Sequence, residues 1–188
     1  LHIGAATPIN DLIPKLKNIY PSFANMFYRY GSIQIRNVAT IGGNLASASP
    51  IGDSSPALLA LKCSVLIQGK KQREISINKF FMAYRKTALK NKEFIKEIKI
   101  PILHNCIFKC YKVSKRFDDD ISSVFVAFLL KLKKNLITDM SIAFGGMAAT
   151  PKLASKTEKF LIGKDFNYEN INKSKKIIEN EFNPLSDM

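Results

Sequence analysis

The chain has three cysteines in 188 residues and no CxxC pair, so the odd thiol count argues against a disulfide framework. Cys63, Cys106 and Cys110 also cannot build a four-thiolate metal or iron–sulfur site by themselves. Reduced thiols in a cytoplasm are the expected setting. Apolar runs of the roughly 18–20 residues that span a bilayer are absent, so no membrane partner is expected. The opening residues, LHIGAATPIND, lack a basic stretch followed by an apolar one, so no signal peptide is expected. Neither end, Leu1 or NPLSDM, carries a start or stop signal, which suggests a fragment. P-loop and GxGxxG signatures are missing as well. Arginine is scarce, supplying five of the 29 basic residues.

That scarcity decides how the net charge of +14 is read. Base readers and phosphate clamps favour the bidentate arginine fork, whereas these lysines are spread through almost every segment. The excess reads as a solubilising surface, and no nucleic-acid partner is expected. A basic nucleic-acid module remains the alternative.

Hydrophobic residues make up 46%, enough for one large domain or two small ones with a real core. Two short helices are predicted in ATPINDLIPKLKNIYPSFANMFYRYGS. Thr7 would cap the first, with Pro8 at its first position and Ile9, Leu12, Ile13 and Leu16 on one face. Pro14 inside that pattern predicts a kink or an early stop. Pro21 would start the second, with Phe23, Met26, Phe27 and Tyr30 on one face and Gly31 as terminator. Ser55 and Pro56 open a third short helix, PALLALK. From Cys63 the period changes to that of strands: CSVLIQ, REISI and EFIKEIKIP, with a turn at GKK and a short helix over NKFFMAYRK. CIFKCYKVSK, ISSVFVAFLLKLKK and LITDMSIAFGG read as longer strands, the last two forming a hairpin around KKN. The tail, PKLASKTEKFLIGK and NYENINKSKKIIENEF, reads as helical. Two α+β units meeting near Pro101 are predicted, 1–103 and 104–188.

The most informative stretch is IRNVATIGGNLASASPIGDSSP. It reads as a loop of glycines, small polar side chains and one carboxylate. Gly42 and Gly43 can take φ > 0 and expose backbone N–H groups, a nest suited to a phosphate. Thr40 and Asn44 can add side-chain hydrogen bonds, and Asp53 can accept from a ribose hydroxyl. A purely structural loop is the alternative.

This stretch resembles the second flavin-binding loop in the FAD-binding part of molybdenum hydroxylases, and is most similar to small subunits of bacterial xanthine dehydrogenases. The resemblance continues through IGAATPINDL, YPSFANMFYRYGS, YKVSKRFDDDI, IAFGGMAATP and NPLSDM, so it covers nearly the whole chain. It implies an α+β fold: the second subdomain of a vanillyl-alcohol-oxidase/PCMH-type FAD-binding domain. A CO dehydrogenase flavoprotein C-terminal-like domain, a three-stranded antiparallel sheet with helices, would follow. By resemblance, Thr40, Ile41, Gly42, Gly43 and Asn44 wrap the FAD pyrophosphate, and Asp53 lies near the adenosine ribose. Tyr30 falls where an aromatic meets the isoalloxazine ring, although packing on its own apolar stripe is the other reading. Ile95 matches an apolar flavin contact.

In YKVSKRFDDDI the resemblance puts Lys112 near the cofactor, with Arg116 and Asp119 setting local charge. A cation there would raise the flavin potential and a carboxylate would lower it. Phe117 stands where many relatives carry a charge, and a merely solvated loop is the alternative. The implied enzyme oxidises a purine at molybdopterin and passes electrons through 2Fe-2S clusters to FAD and then NAD. The iron–sulfur and molybdopterin sites would lie elsewhere, in the N-terminal remainder and a molybdopterin-binding subunit. The resemblance assigns no catalytic residue to this chain. Other molybdenum hydroxylases, acting on carbon monoxide or an N-heterocycle, and a non-catalytic scaffold are the alternatives.

Overall fold

The structure is a computed structural model that describes residues 1–184; residues 185–188, and with them the end of the NPLSDM match, lie outside the described residues. It opens on β1 (His2–Gly4), too short to leave a period in the sequence. In α1 (Ile9–Lys17) the capping position falls to Pro8 rather than Thr7. Ile9, Leu12, Ile13 and Leu16 form its buried face. Pro14 lies inside α1 without ending it. It forgoes one backbone bond, and burial of the apolar stripe outweighs that loss. α2 (Pro21–Phe27) starts at the expected proline and buries Phe23, Met26 and Phe27. It stops there, so Tyr30 stands beyond the helix, beside a turn at Gly31 with φ of 53°.

The glycine-rich stretch is not an open loop. It contains α3 (Ile33–Val38) and α4 (Ile41–Ala46), whose capping hydroxyls on Ser32 and Thr40 accept from the N–H groups of Ile35 and Gly43. α5 (Ser54–Ala60) follows, preceded by Asp53, so Ser55 is its second residue and not its cap. All seven of its residues are buried.

The first sheet is fully antiparallel, in the order β1-β6-β2-β3. β2 (Ser64–Gln68) and β3 (Gln72–Ser76) form the hairpin expected at GKK, and β6 (Phe94–Lys99) pairs with both β1 and β2. The predicted helix over NKFFMAYRK is a correction. A 3₁₀ turn (Ile77–Lys79) leads into a small hairpin of β4 (Phe81–Ala83) and β5 (Lys86–Thr87). Phe80 is buried while Met82 and Tyr84 are exposed, which leaves no helical stripe to pack. Arg85 takes a left-handed φ of 51° at the tip.

The second sheet has the order β10-β9-β8-β7. The three expected long strands are β7 (Ile107–Val113), β8 (Val124–Lys133) and β9 (Leu136–Gly145), with the β8–β9 turn at Lys134. A two-residue β10 (Lys152–Leu153), read from the sequence as helix, widens it. β8 is apolar on both faces for a reason. Phe125, Ala127 and Leu129 join the main core, against which α5 packs. Leu130 joins a second core under α6 (Ser155–Leu161) and α7 (Tyr168–Glu179). The main core is continuous from Ile3 to Ala143, so the stretches before and after Pro101 share one interior. The fold is thus the expected α+β arrangement. No helix among the described residues is long and apolar enough to cross a membrane.

Candidate functional site

A cleft of about 320 Å³ opens between the turn after α2, the segment joining α4 to α5, and the end of β7. Tyr30, Ile35, Asn44, Asp53, Lys112 and Asp120 are among its lining residues. The structure thus brings together Tyr30, Asn44, Asp53, Lys112 and Asp119, five of the residues singled out in the sequence.

Asp53 and Lys112 form a buried ion pair, with Nζ 2.7 Å from Oδ2 and side chains 8% and 2% exposed. Two charges withdrawn from water are tolerable only when paired and hydrogen-bonded. Both conditions hold: Lys112 Nζ also donates to the Arg29 carbonyl at 3.0 Å, and the Ser122 hydroxyl donates to Asp53 Oδ1 at 2.5 Å. Asp53 therefore spends two acceptor positions inside the protein, and a carboxylate offers about four.

One wall carries a polar relay. Asn44 Nδ2 donates to the Tyr30 hydroxyl at 3.1 Å, and Asn44 Oδ1 accepts from the Ser54 N–H at 3.3 Å and from the Ser54 hydroxyl. Burial holds the Tyr30 phenol above its usual pKa of 10, with the Asn44 hydrogen bond pulling the other way. The ring packs edge-on against Phe27.

The turn at Thr40 differs from the predicted nest. Neither Gly42 nor Gly43 has positive φ. The N–H groups of Ile41, Gly42 and Gly43 donate to Thr7 O, Ala5 O and Thr40 Oγ1 at 3.2, 2.9 and 3.1 Å. Gly42 is needed for close packing: a Cβ there would sit 2.5 Å from Ala5 Cβ and 2.7 Å from Ala5 O. Gly43 is exposed, and a Cβ on it would meet only Thr40 Oγ1, at 2.9 Å. The Thr40 hydroxyl accepts from Gly43, and its own proton has no acceptor among the described residues. Ile95 lies apart from the cleft, on β6 opposite Ile67, in the core beneath α4.

Arg29 holds the basic–acidic loop in place. Its guanidinium donates to Lys112 O, the Ser114 hydroxyl and Phe117 O, and lies 4.4 Å from the centre of the Phe117 ring. Asp120 accepts from the Arg116 N–H, which keeps its carboxyl below the usual range. Arg29, Ser54 and Ser122 were missed in the sequence. Ser122 lies 69 residues from Asp53, and no local pattern links them.

A buried acid–lysine pair beneath a cleft walled by an aromatic ring and a polar relay marks a small-molecule or cofactor binder. Comparison with known proteins narrows this. Residues 1–103 match the FAD binding domain in molybdopterin dehydrogenase, and residues 109–188 match the CO dehydrogenase flavoprotein C-terminal domain. A xanthine dehydrogenase of Emericella nidulans is 42% identical over 137 residues, covering 71% of this chain and 10% of its own length. A nicotinate hydroxylase of the same organism is 35% identical over 185 residues, covering 87% of this chain and 14% of its own. The carbon monoxide dehydrogenase of Hydrogenophaga pseudoflava superposes with a TM-score of 0.93 at 25% identity, over 99% of this chain and 66% of that one. The chain belongs to the FAD-binding domain family of molybdopterin dehydrogenases, an oxidoreductase family whose cofactor in this domain is FAD. It spans only a minor part of the two curated relatives.

Proposed function

We propose that this chain holds FAD in a xanthine dehydrogenase, within an electron path from iron–sulfur clusters through FAD to NAD. The observation that carries the reading is the buried Asp53–Lys112 pair at the floor of a cleft walled by Tyr30 and Asn44, in a chain of an FAD-binding family. The 42% identity to a xanthine dehydrogenase supports the choice of enzyme. Residues 1–103 would form the FAD-binding unit and 104–188 the unit that contributes Lys112 and the loop at the cleft mouth. The iron–sulfur and molybdopterin sites would belong to other segments or subunits of a cytoplasmic enzyme.

The residues present fit a dinucleotide. Gly43 is open to a close approach, and the Thr40 hydroxyl has a proton free for a phosphate oxygen. Thr40, Ile41, Gly42 and Gly43 would shape the pyrophosphate turn. Gly42 lets α4 sit tightly on residue 5, and Ile41 anchors the turn in the core. Asp53 keeps lone pairs for a ribose hydroxyl. Tyr30 would face the ring system, and Ile95 would support α4 from β6. Lys112 and Asp53 together place no net charge at the floor. Bound FAD supplies the redox chemistry, exchanging electrons singly with a metal centre and in pairs with a nicotinamide.

A second reading, the flavoprotein of a nicotinate or carbon monoxide dehydrogenase, has support in the 35% identity to the nicotinate hydroxylase and in the CO dehydrogenase fold. A nucleic-acid module has less: the guanidinium groups of Arg29 and Arg73 are held by groups of this chain, and Arg36 donates through Nη1 to the Gly31 carbonyl. Full-length protein should be assayed for NADH formation with xanthine, nicotinate and carbon monoxide in turn. NADH with xanthine supports the proposal, and turnover with only another substrate moves the chain to the second reading. A preparation without flavin absorbance rejects the cofactor assignment.

A further inference from the structure

The contact between Tyr30 and Asn44 fixes the direction of a proton. A backbone N–H can only donate, and the Ser54 N–H meets a terminal atom of the Asn44 side chain at 3.3 Å. That atom must be the carbonyl Oδ1, and the Ser54 hydroxyl meets the same atom. The amide Nδ2 is then the group 3.1 Å from the Tyr30 hydroxyl. An amide nitrogen only donates, so the phenol oxygen accepts there and must send its own proton elsewhere. No acceptor among the described residues takes that proton, and Tyr30 lines the cleft. A phenol is protonated at neutral pH, and burial pushes Tyr30 further in that direction.

The geometry points to Tyr30 as a hydrogen-bond donor to an acceptor atom of the bound dinucleotide, with Asn44 and Ser54 as positioning residues that aim its proton into the cleft. This rests on the flavin site proposed above. It also gives Asn44 a task beyond the phosphate contact expected from its place in the loop. Its Oδ1 accepts twice from Ser54 and one of its two Nδ2 protons goes to Tyr30, so it orients the donor.

Two conservative variants test this in full-length enzyme stripped of FAD, with the FAD dissociation constant read by flavin fluorescence quenching. Tyr30→Phe keeps the ring and its packing on Phe27, 6.2 Å between centroids, and removes only the donor. Asn44→Asp keeps the shape but puts an acceptor opposite the phenol, which turns the Tyr30 proton away from the cleft. Tyr30→Phe should raise the dissociation constant roughly five- to tenfold, the loss of one hydrogen bond. Asn44→Asp should raise it at least as much alone, and by a clearly smaller factor in the Tyr30→Phe background. The comparison is a ratio, so any stability loss common to both backgrounds cancels. An unchanged constant in Tyr30→Phe overturns the proposal. So does an Asn44→Asp effect of equal size in both backgrounds, which marks charge repulsion alone. Wild-type protein that takes up no FAD rejects the flavin site itself, a result distinct from both.

Discussion

Arg29 and Lys112 each hold the other's backbone: Arg29 Nη1 donates to Lys112 O at 2.8 Å, and Lys112 Nζ donates to Arg29 O at 3.0 Å. This reciprocal bond ties the turn after α2 to the end of β7, 83 residues apart in sequence. It stands beside the cleft, so the positions of Tyr30 and of the loop after β7 depend on each other.

Replacing Arg29 should therefore loosen that loop before it unfolds the protein. Arg29→Met removes three donated bonds and the stacking on Phe117, and should cost about 2 kcal/mol of stability. Arg29→Lys should recover little, because an ammonium cannot span the three acceptors a planar fork reaches. Thermal melts together with limited proteolysis at Lys115 and Arg116 check this. A loop equally protected in Arg29→Met would show that the guanidinium does not hold it.

Breaking the buried pair on one side should cost more than removing it entirely. Asp53→Asn strands an ammonium that is 2% exposed, and should destabilise by about 3–5 kcal/mol. The double variant Asp53→Leu with Lys112→Met should lie nearer to wild type than Asp53→Asn, because no charge is left unpaired. Denaturant unfolding of the two gives the comparison. Lys112→Met alone leaves a negative charge beside the cofactor and should lower the flavin potential in a redox titration.

The two neighbouring glycines should respond differently. Gly42→Ala puts a methyl 2.5 Å from Ala5 Cβ, so it should push α4 off β1 and lower the melting temperature sharply. Gly43→Ala meets only the Thr40 hydroxyl, and should leave folding nearly intact while weakening FAD retention. Equal melting temperatures for the two would contradict the packing role of Gly42.

Acid stability should depend on Glu93. The Arg73 guanidinium, in a two-point ion pair, holds its pKa down at about 2 against the usual 4.5. A depressed carboxylate contributes stability above its unfolded pKa and loses it as pH falls through the folded one. The loss should run from about pH 4.5 down to about 2, and Glu93→Gln should flatten that limb. Melting temperatures across the window measure it.

Sequence alone determined the parts governed by local period. The buried stripe of α1, the proline start of α2, the GKK hairpin and the three long strands all follow from spacing of apolar residues and turn chemistry. A motif long enough to be specific marked out the FAD-binding family. Local reasoning failed where distant contacts chose the conformation. Gly42 and Gly43 became helix because Ala5, Thr7 and Thr40 supply acceptors for the first turn of α4, which a lone glycine pair does not disclose. NKFFMAYRK became a hairpin because only the adjacent Phe80 and Phe81 reach the core, while Met82 and Tyr84 stay exposed, and two neighbours do not make a helical stripe. Asp53 and Lys112 were each read as facing the cofactor, and only the tertiary structure joined them, since β7 must dock against the start of α5 before the two charges can meet. A buried charge selects its partner by position in space, and that position depends on the whole core.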